Sequence, residues 1–228
     1  MFADQRRSLI TFAIAVIAAI APASAAWADD LDEANGIVEK ARISFNDVVK
    51  TKEYDALRAG LKSAKGVLIF PSILKGGFFI GGSGGTGVLL VRGEGNAWSV
   101  PAFYTLGAVS FGLQFGGQAA EVVILVNSQK GIDRLLTSSL KLGGDASIAA
   151  GPVGIGQAAN VTADFVSYAK SKGAFIGMSV EGSVLDVRAS LNHAYYGKPV
   201  TPVDILIKHA ASNKHAHALR SAVAAASR

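Results

Sequence analysis

The alternation of apolar and polar positions predicts β-strands in the middle of the chain and helices towards both ends. Between Phe103 and Phe115, odd-numbered and even-numbered residues form two distinct faces, which is the period of a strand. The run Val122–Val126 is apolar at every position, which is typical of a central strand covered on both sides. Further strands are predicted at residues 67–70, 78–80, 88–91 and 161–169, and a hairpin at residues 174–187.

A layout of glycine, short apolar strand, glycine-containing turn and second apolar strand occurs three times. The copies lie near residues 65–92, 107–126 and 173–187, and each is interpreted as a β-hairpin of one antiparallel sheet. Glycines are densest at residues 81–87, where the missing Cβ atoms let the backbone bend or approach another segment closely. Within this cluster we interpret Ser83 as a turn residue.

The segment Asp29–Lys50 has the period of an amphipathic helix, with Asp29 and Asp30 suited to its N-terminus. Such a helix packs on its own sheet or lies on a membrane surface. Its apolar stripe comprises Ala34, Ile37, Val38, Ala41, Phe45, Val48 and Val49.

Shorter helices are predicted at residues 53–62, 128–140 and 190–196, and residues 148–156 are interpreted as a turn region. Thr201 and Pro202 form a helix-start signal, with Thr201 as the N-cap and Pro202 in the first helical position. His209 is expected to face the sheet, and the alanine-rich tail from Ser212 is expected to form a frayed helix.

These elements together predict an α+β fold. A twisted antiparallel β-sheet, or a partial barrel, is built from glycine-rich hairpins and covered by N- and C-terminal helices. One domain is expected at residues 29–211, followed by an alanine-rich helical tail at residues 212–228.

Residues 1–28 have the pattern of a signal peptide. Arg6 and Arg7 precede a short apolar run, and two small-x-small cleavage sites follow at residues 23–25 and 26–28. The alternative, a membrane anchor, needs about 20 apolar residues. We therefore expect an exported, periplasmic protein of the bacterial envelope, peripheral to a membrane. The chain has no cysteine, which excludes disulfides and thiol catalysis.

Motifs that resemble catalytic or cofactor sites do not have the context that such sites need. Residues 82–87 fit G-x-G-x-x-G and residues 81–85 fit G-x-S-x-G, but both motifs require a following helix, and a strand is predicted instead. The four histidines lie without nearby carboxylates, so no metal site is predicted. We expect no enzyme activity, no catalytic residues and no cofactor.

The net charge of +5 favours an anionic partner. Basic residues also punctuate the predicted hairpins, and lysines before aromatic strand starts can bind phosphate headgroups while the aromatics meet the acyl region. The alternative is that these lysines protect strand edges from aggregation. The candidate headgroup residues are Lys62, Lys65, Lys75, Arg92, Lys170 and Lys172.

The chain resembles the SYLF domain family of lipid-binding proteins, whose eukaryotic members are linked to actin regulation. Four stretches between residues 34 and 206 carry the resemblance: AKGVLIFPSILKGGFFIGGSGGTGVLLVR, WSVPAFYTLGAVSFGLQFGGQAAEVVILV, YAKSKGAFIGMSVEGSVLDV and NHAYYGKPVTP. The resemblance implies binding of phosphoinositide-like or other anionic phospholipid headgroups at a membrane surface, without catalysis. Neither nucleic acid nor, in the expected compartment, actin is predicted as a partner. A small outer-membrane β-barrel and an uncharacterised envelope enzyme are the alternative interpretations.

Overall fold

The computed structural model describes residues 21–77, 80–111, 118–152, 162–171, 174–175 and 180–228. Within these residues, nine strands form one sheet in the order β5-β9-β3-β2-β1-β4-β7-β6, and β8 also pairs with β7. The sheet curls into a half-barrel with helices from both ends of the chain, so the predicted α+β class is confirmed. The strands are β1 (Gly66–Gly77), β2 (Ile80–Val91), β3 (Ala102–Phe111), β4 (Gln118–Val126), β5 (Ser139–Lys141), β6 (Ile148–Ala150), β7 (Phe165–Ser171), β8 (Ala174–Phe175) and β9 (Val184–Val187).

The helices pack against this sheet and against one another. They are α1 (Ala21–Lys50), α2 (Asp55–Leu61), α3 (Gln129–Leu135), α4 (Ala189–Tyr196), α5 (Pro202–Leu206) and α6 (His217–Ala226). Short 3-10 turns lie at Lys52–Tyr54, Glu94–Asn96 and Lys214–Ala216. Within the described residues, none of these helices is both long and apolar enough to span a bilayer.

Helix α1 packs against the central strands of the sheet and contacts both α4 and α6. Its predicted apolar stripe is confirmed, because the residues from Ala34 to Val48 on that stripe are buried and Val49 packs beside them. The predicted start was wrong: the described part of the helix already includes Ala21, so Asp29 and Asp30 lie inside it. Alanine has the highest helix propensity, and the alanine-rich segment before Asp29 therefore continues the helix backwards.

Both faces of the central strands are covered. On one face, Phe103 of β3 packs edge-on against Tyr195 of α4, with ring centres 5.2 Å apart. On the other face, the Tyr104 hydroxyl donates to the backbone oxygen of Leu135 at the end of α3, at 2.6 Å. Every residue of Val122–Val126 is buried, as its uniform apolarity predicted.

Only the first of the three predicted hairpins is confirmed, by the pairing of β1 with β2. The second was wrong, since β3 pairs with β2 and β9, whereas β4 pairs with β1 and β7. The third was also wrong, because β8 and β9 are not neighbours. Strand β8 pairs with β7 near one edge of the sheet, and β9 lies near the other edge. Strands β1 to β4 instead form a Greek key. The sheet is also mixed, because β6 runs parallel to β7.

The glycine cluster at 81–87 is strand and not turn, so the interpretation of Ser83 was wrong. Ser83 pairs with Lys75 of β1 and with Ala108 of β3. The expectation of close backbone approach is confirmed nearby, where a Cβ on Gly85 would lie 2.1 Å from the oxygen of Ser72. Strand β1 carries one extra residue here, and Pro71, which lacks an N–H, lies in that bulge.

The C-terminal part of the chain is better ordered than its composition indicated. Thr201 caps α5 in a reciprocal capping box with Asp204, as predicted. His209 was expected to face the sheet but is exposed, with a φ of 52°. The frayed tail was also wrong, since α6 buries Leu219 and Val223. Earlier in the chain, the helix predicted at residues 128–140 ends at Leu135 and is followed by β5.

Candidate functional site

The six predicted headgroup residues do not form one cluster. Lys62 and Lys65 precede β1 and Arg92 follows β2, so these three lie where β1 begins. Lys75 lies near the end of β1, about 30 Å away for ten residues of strand. Lys170 belongs to that second end as well, near the end of β7, and Lys172 lies outside the described residues.

We call the end of the sheet where β1, β3 and β7 finish the hairpin end. Leu74 lies there and is 62% exposed, more than any other large apolar residue in the described part of the chain. Lys170 lies opposite Glu121 in the register of β7 with β4. Burial raises the pKa of the Glu121 carboxyl, and the charge of Lys170 partly offsets that increase. Lys170 therefore already interacts electrostatically with a carboxyl group of the protein itself.

At the opposite end of the sheet, a cleft of about 600 Å³ opens between the end of β2 and the C-terminal segment. We call it the Trp98 cleft. Its apolar lining includes Val91, Trp98, Val100, Leu206 and Ile207. Its polar lining includes Arg92, Glu94, His209 and Arg220. The volume is in the range of small-molecule sites.

Arg92 has a structural role in this cleft. Its Nε donates to the oxygen of Ala64 at 2.9 Å, and its Nη2 donates to the oxygen of Leu61. The contact with Leu61 caps a carbonyl group that α2 leaves unpaired at its C-terminus, and the contact with Ala64 holds the segment between α2 and β1. The backbones of Arg92 and Trp98 form an antiparallel bridge, and the guanidinium carbon lies 4.7 Å from the centre of the indole ring.

Arg220 enters the same cleft from α6. Its Nε donates to the backbone oxygen of Trp98 at 3.0 Å, and the Trp98 Nε1 donates to the hydroxyl of Ser227 at 2.9 Å. The sequence pattern did not identify Trp98 or Arg220 as site residues. They are more than 100 positions apart, and the tail containing Arg220 was interpreted as frayed.

The cleft has few negative groups to balance its cations. Among the described residues, neither Arg92 nor Arg220 forms an ion pair, and Glu94 is exposed at the rim. Burial lowers the pKa of the Arg92 guanidinium, although arginine stays charged in proteins. The described residues contain no group of three or more His, Asp or Glu side chains placed to hold a metal ion.

Comparison with known proteins gives consistent matches. A family model described as "Ysc84: Las17-binding protein actin regulator" matches residues 107–226, which is more than half of the chain. SH3 domain-containing YSC84-like protein 1 of Homo sapiens is 32% identical over 151 residues, or 64% of this chain. LAS seventeen-binding protein 3 of Saccharomyces cerevisiae is 36% identical over 154 residues, also 64% of this chain.

An SH3 domain-containing protein of Schizosaccharomyces pombe is 37% identical over 153 residues. The chain spans 35% of that protein, 44% of the human protein and 33% of the Saccharomyces protein. The matches therefore cover less than half of each relative's length, and the names belong to proteins that are much longer than the shared segment.

Proposed function

The chain belongs to the Ysc84 family, also called the SYLF domain family, and on that premise we propose that it is a non-catalytic protein that binds anionic lipid surfaces in the bacterial envelope. The proposal places the contact at the hairpin end, with phospholipid headgroups as the partner. Export by residues 1–28 and a periplasmic location are parts of the same proposal.

The exposure of Leu74 supports a membrane contact at the hairpin end. A leucine that is 62% exposed in a strand loses favourable burial unless another surface covers it. The next residue in the strand is Lys75, and Lys170 lies at the same end of the sheet. An apolar residue beside basic residues suits the boundary between headgroups and acyl chains.

The names of the relatives refer to Las17 binding and actin regulation. We do not extend those partners to this chain, because it spans less than half of each relative and the proposed compartment contains no actin. The shared segment is proposed to supply surface binding.

Co-sedimentation with vesicles tests the proposal. The protein is expected to bind vesicles that contain phosphatidylglycerol and to bind pure phosphatidylcholine vesicles much more weakly. Each basic residue near an anionic surface contributes about 1 kcal/mol, so the double variant Lys75→Ala/Lys172→Ala should bind more weakly by about tenfold or more. Binding should also fall as the salt concentration rises from 50 to 500 mM. Added salt shortens the Debye length, which is about 10 Å at 0.1 M, and so screens the attraction between the lysines and the headgroups.

Matched variants locate the contact. Lys62→Ala/Lys65→Ala removes the same charge from the opposite end of the sheet and is expected to bind normally. Leu74→Ser should weaken binding, whereas Ile43→Ser, which changes a 48% exposed residue of α1, should not. Salt-insensitive binding to both vesicle types would contradict the electrostatic contact. Normal binding with faster aggregation of the Lys75/Lys172 variant would show that these lysines protect strand edges.

A further inference from the structure

We propose that the Trp98 cleft is a separate binding site for a small amphiphilic phosphate, that is, a phosphate monoester carried on an apolar or aromatic body. The site lies where β2 ends, at the opposite end of the sheet from the proposed membrane contact. It is therefore independent of the lipid-surface proposal, and either can fail without the other.

The arginines of the cleft indicate an anionic ligand. Arg92 and Arg220 are both half-buried, and within the described part of the chain neither is paired with a carboxylate. Withdrawing a cation from water is unfavourable unless an opposite charge or hydrogen-bond acceptors replace the water. Carbonyl oxygens supply acceptors for Arg92, but they leave its positive charge uncompensated.

Arg220 is the group best placed to hold the ligand directly. Its Nε donates to the backbone oxygen of Trp98 at 3.0 Å, which holds the guanidinium at the lining of the cleft. Its two Nη groups have no hydrogen-bond partner among the described residues. A guanidinium fixed at one nitrogen and open at two presents the fork that binds phosphate oxygens in pairs.

His209 supplies a further polar group on the same wall. Its Nε2 lies 3.8 Å from the position that a Cβ on Gly93 would occupy, so the imidazole lies beside the backbone that follows Arg92. The φ of His209 is 52°, a left-handed backbone conformation that is unusual for a residue other than glycine. An imidazole nitrogen there adds a hydrogen-bond donor for a third phosphate oxygen.

The apolar part of the cleft determines the rest of the ligand. Ile207, which is 45% exposed, lines this part together with the nearly buried Val91, Val100 and Trp98, so inorganic phosphate alone would leave apolar surface uncovered. An apolar or aromatic body attached to the phosphate buries it and gains the corresponding hydrophobic free energy. Glu94 is the acidic member of the lining and repels the anion from the rim.

The test follows the fluorescence of Trp98 during titration with phenyl phosphate. The protein contains two tryptophans, so the Trp27→Phe protein reports on Trp98 alone. We expect saturable binding of phenyl phosphate and at least tenfold weaker binding of inorganic phosphate. Arg220→Met should weaken the binding of phenyl phosphate about tenfold or more, and Arg220→Lys should weaken it less, because the charge is kept.

Controls separate the site from general charge effects. Arg134→Met removes an exposed arginine from α3 and should leave affinity unchanged. Glu94→Gln should increase affinity severalfold, a gain that damage to the fold would not produce. Thermal melts of each variant check that it is folded. Absence of saturable binding, or equal affinity of Arg220→Met, Arg134→Met and the parent protein, would overturn the proposal.

The phosphate could be free in solution or part of a lipid headgroup. Displacement of phenyl phosphate from the parent protein by vesicles that contain phosphatidic acid, whose headgroup is a phosphate monoester, would assign the cleft to a headgroup. Binding of phenyl phosphate that is unaffected by the vesicles would assign it to a soluble phosphate ester. Because Lys75 lies at the hairpin end, far from the cleft, Lys75→Ala should bind phenyl phosphate normally even if it binds vesicles more weakly.

Discussion

A Cβ atom on Gly87 would lie 2.4 Å from the carbonyl oxygen of Ile69. The same atom would lie 2.5 Å from the ring of Phe70, so it would meet both backbone and side chain of the neighbouring strand. This contact lies beside the bulge of β1 at Pro71. Glycine at this position therefore allows β1 and β2 to stay paired where the sheet curls.

We expect Gly87→Ala to lower the free energy of unfolding by about 3 kcal/mol, because the added methyl group has no room. The matched control is Gly107→Ala in β3, where no atom lies within 4 Å of the new Cβ. That change should be neutral or stabilising by about 0.5 kcal/mol, since alanine loses less backbone entropy than glycine. Urea denaturation of both variants measures the difference, and equal effects would contradict the close approach.

Arg92→Met is expected to destabilise the fold by about 2 kcal/mol. The substitution removes the cap on the C-terminus of α2 and the stacking on Trp98 while it keeps most of the side-chain volume. Arg134→Met makes the same chemical change on an exposed helix surface and should cost less than about 0.5 kcal/mol. If chemical denaturation gives the two variants the same midpoint, Arg92 does not have this structural role.

The capping box of α5 should make stability depend on acid pH. Hydrogen bonds from Thr201 lower the pKa of the Asp204 carboxyl from 3.8 to about 2. The ionised form is favoured in the folded state, so its contribution is present above the ordinary pKa and is lost as the pH falls towards 2. Thr201→Ala should cost about 1 kcal/mol near neutral pH. The difference from wild type should shrink at pH 2, as measured by urea midpoints.

Glu121 should have the opposite pH dependence. Burial is the largest cause of its raised pKa. The charge of Lys170 lowers the pKa, and the charge of Asp47 raises it. The folded state therefore disfavours the charged carboxylate, and stability is lost as the pH rises from the ordinary pKa of 4.5 through the raised value. Glu121→Gln should stabilise the protein by at most about 1 kcal/mol at pH 7 and have little effect at pH 4.

An exposed carboxylate provides the comparison for that measurement. Glu94→Gln should change stability by less than about 0.5 kcal/mol at either pH. Urea titrations of the parent protein and both variants at pH 4 and pH 7 give the four changes in the free energy of unfolding. A Glu121→Gln variant that is destabilised at pH 7 would show that the carboxylate forms a favourable pair with Lys170.

Local patterns in the sequence were sufficient where a residue's role depends on its near neighbours in the chain. The apolar stripe of α1 follows from helical spacing, and the cap at Thr201 follows from its place before Pro202. The burial of Val122–Val126 follows from uniform apolarity. Each of these features is determined by interactions within about one helical turn or one strand.

The order of the strands could not be predicted from local patterns, because one apolar strand can pair with many other apolar strands equally well. The spacing of glycines indicated three hairpins, but β3 pairs with β9 and not with β4. The glycine cluster was assigned to a turn, although its function is to let β2 pass close to β1. The candidate site was missed for a related reason, since Arg220 meets Trp98 only after α6 packs against the rest of the fold.

The Greek-key order has a consequence for folding. The outer edge of β3 stays unpaired until β9 arrives, and Tyr104 pairs with Val187, more than 80 residues later in the chain. Contacts between such distant segments close slowly, because loop entropy must be overcome before the pairing is gained. During synthesis, or in a chain that ends before Val184, this edge is open to strands of other molecules. The short strand β9 therefore protects the folded chain from aggregation by covering this edge of β3.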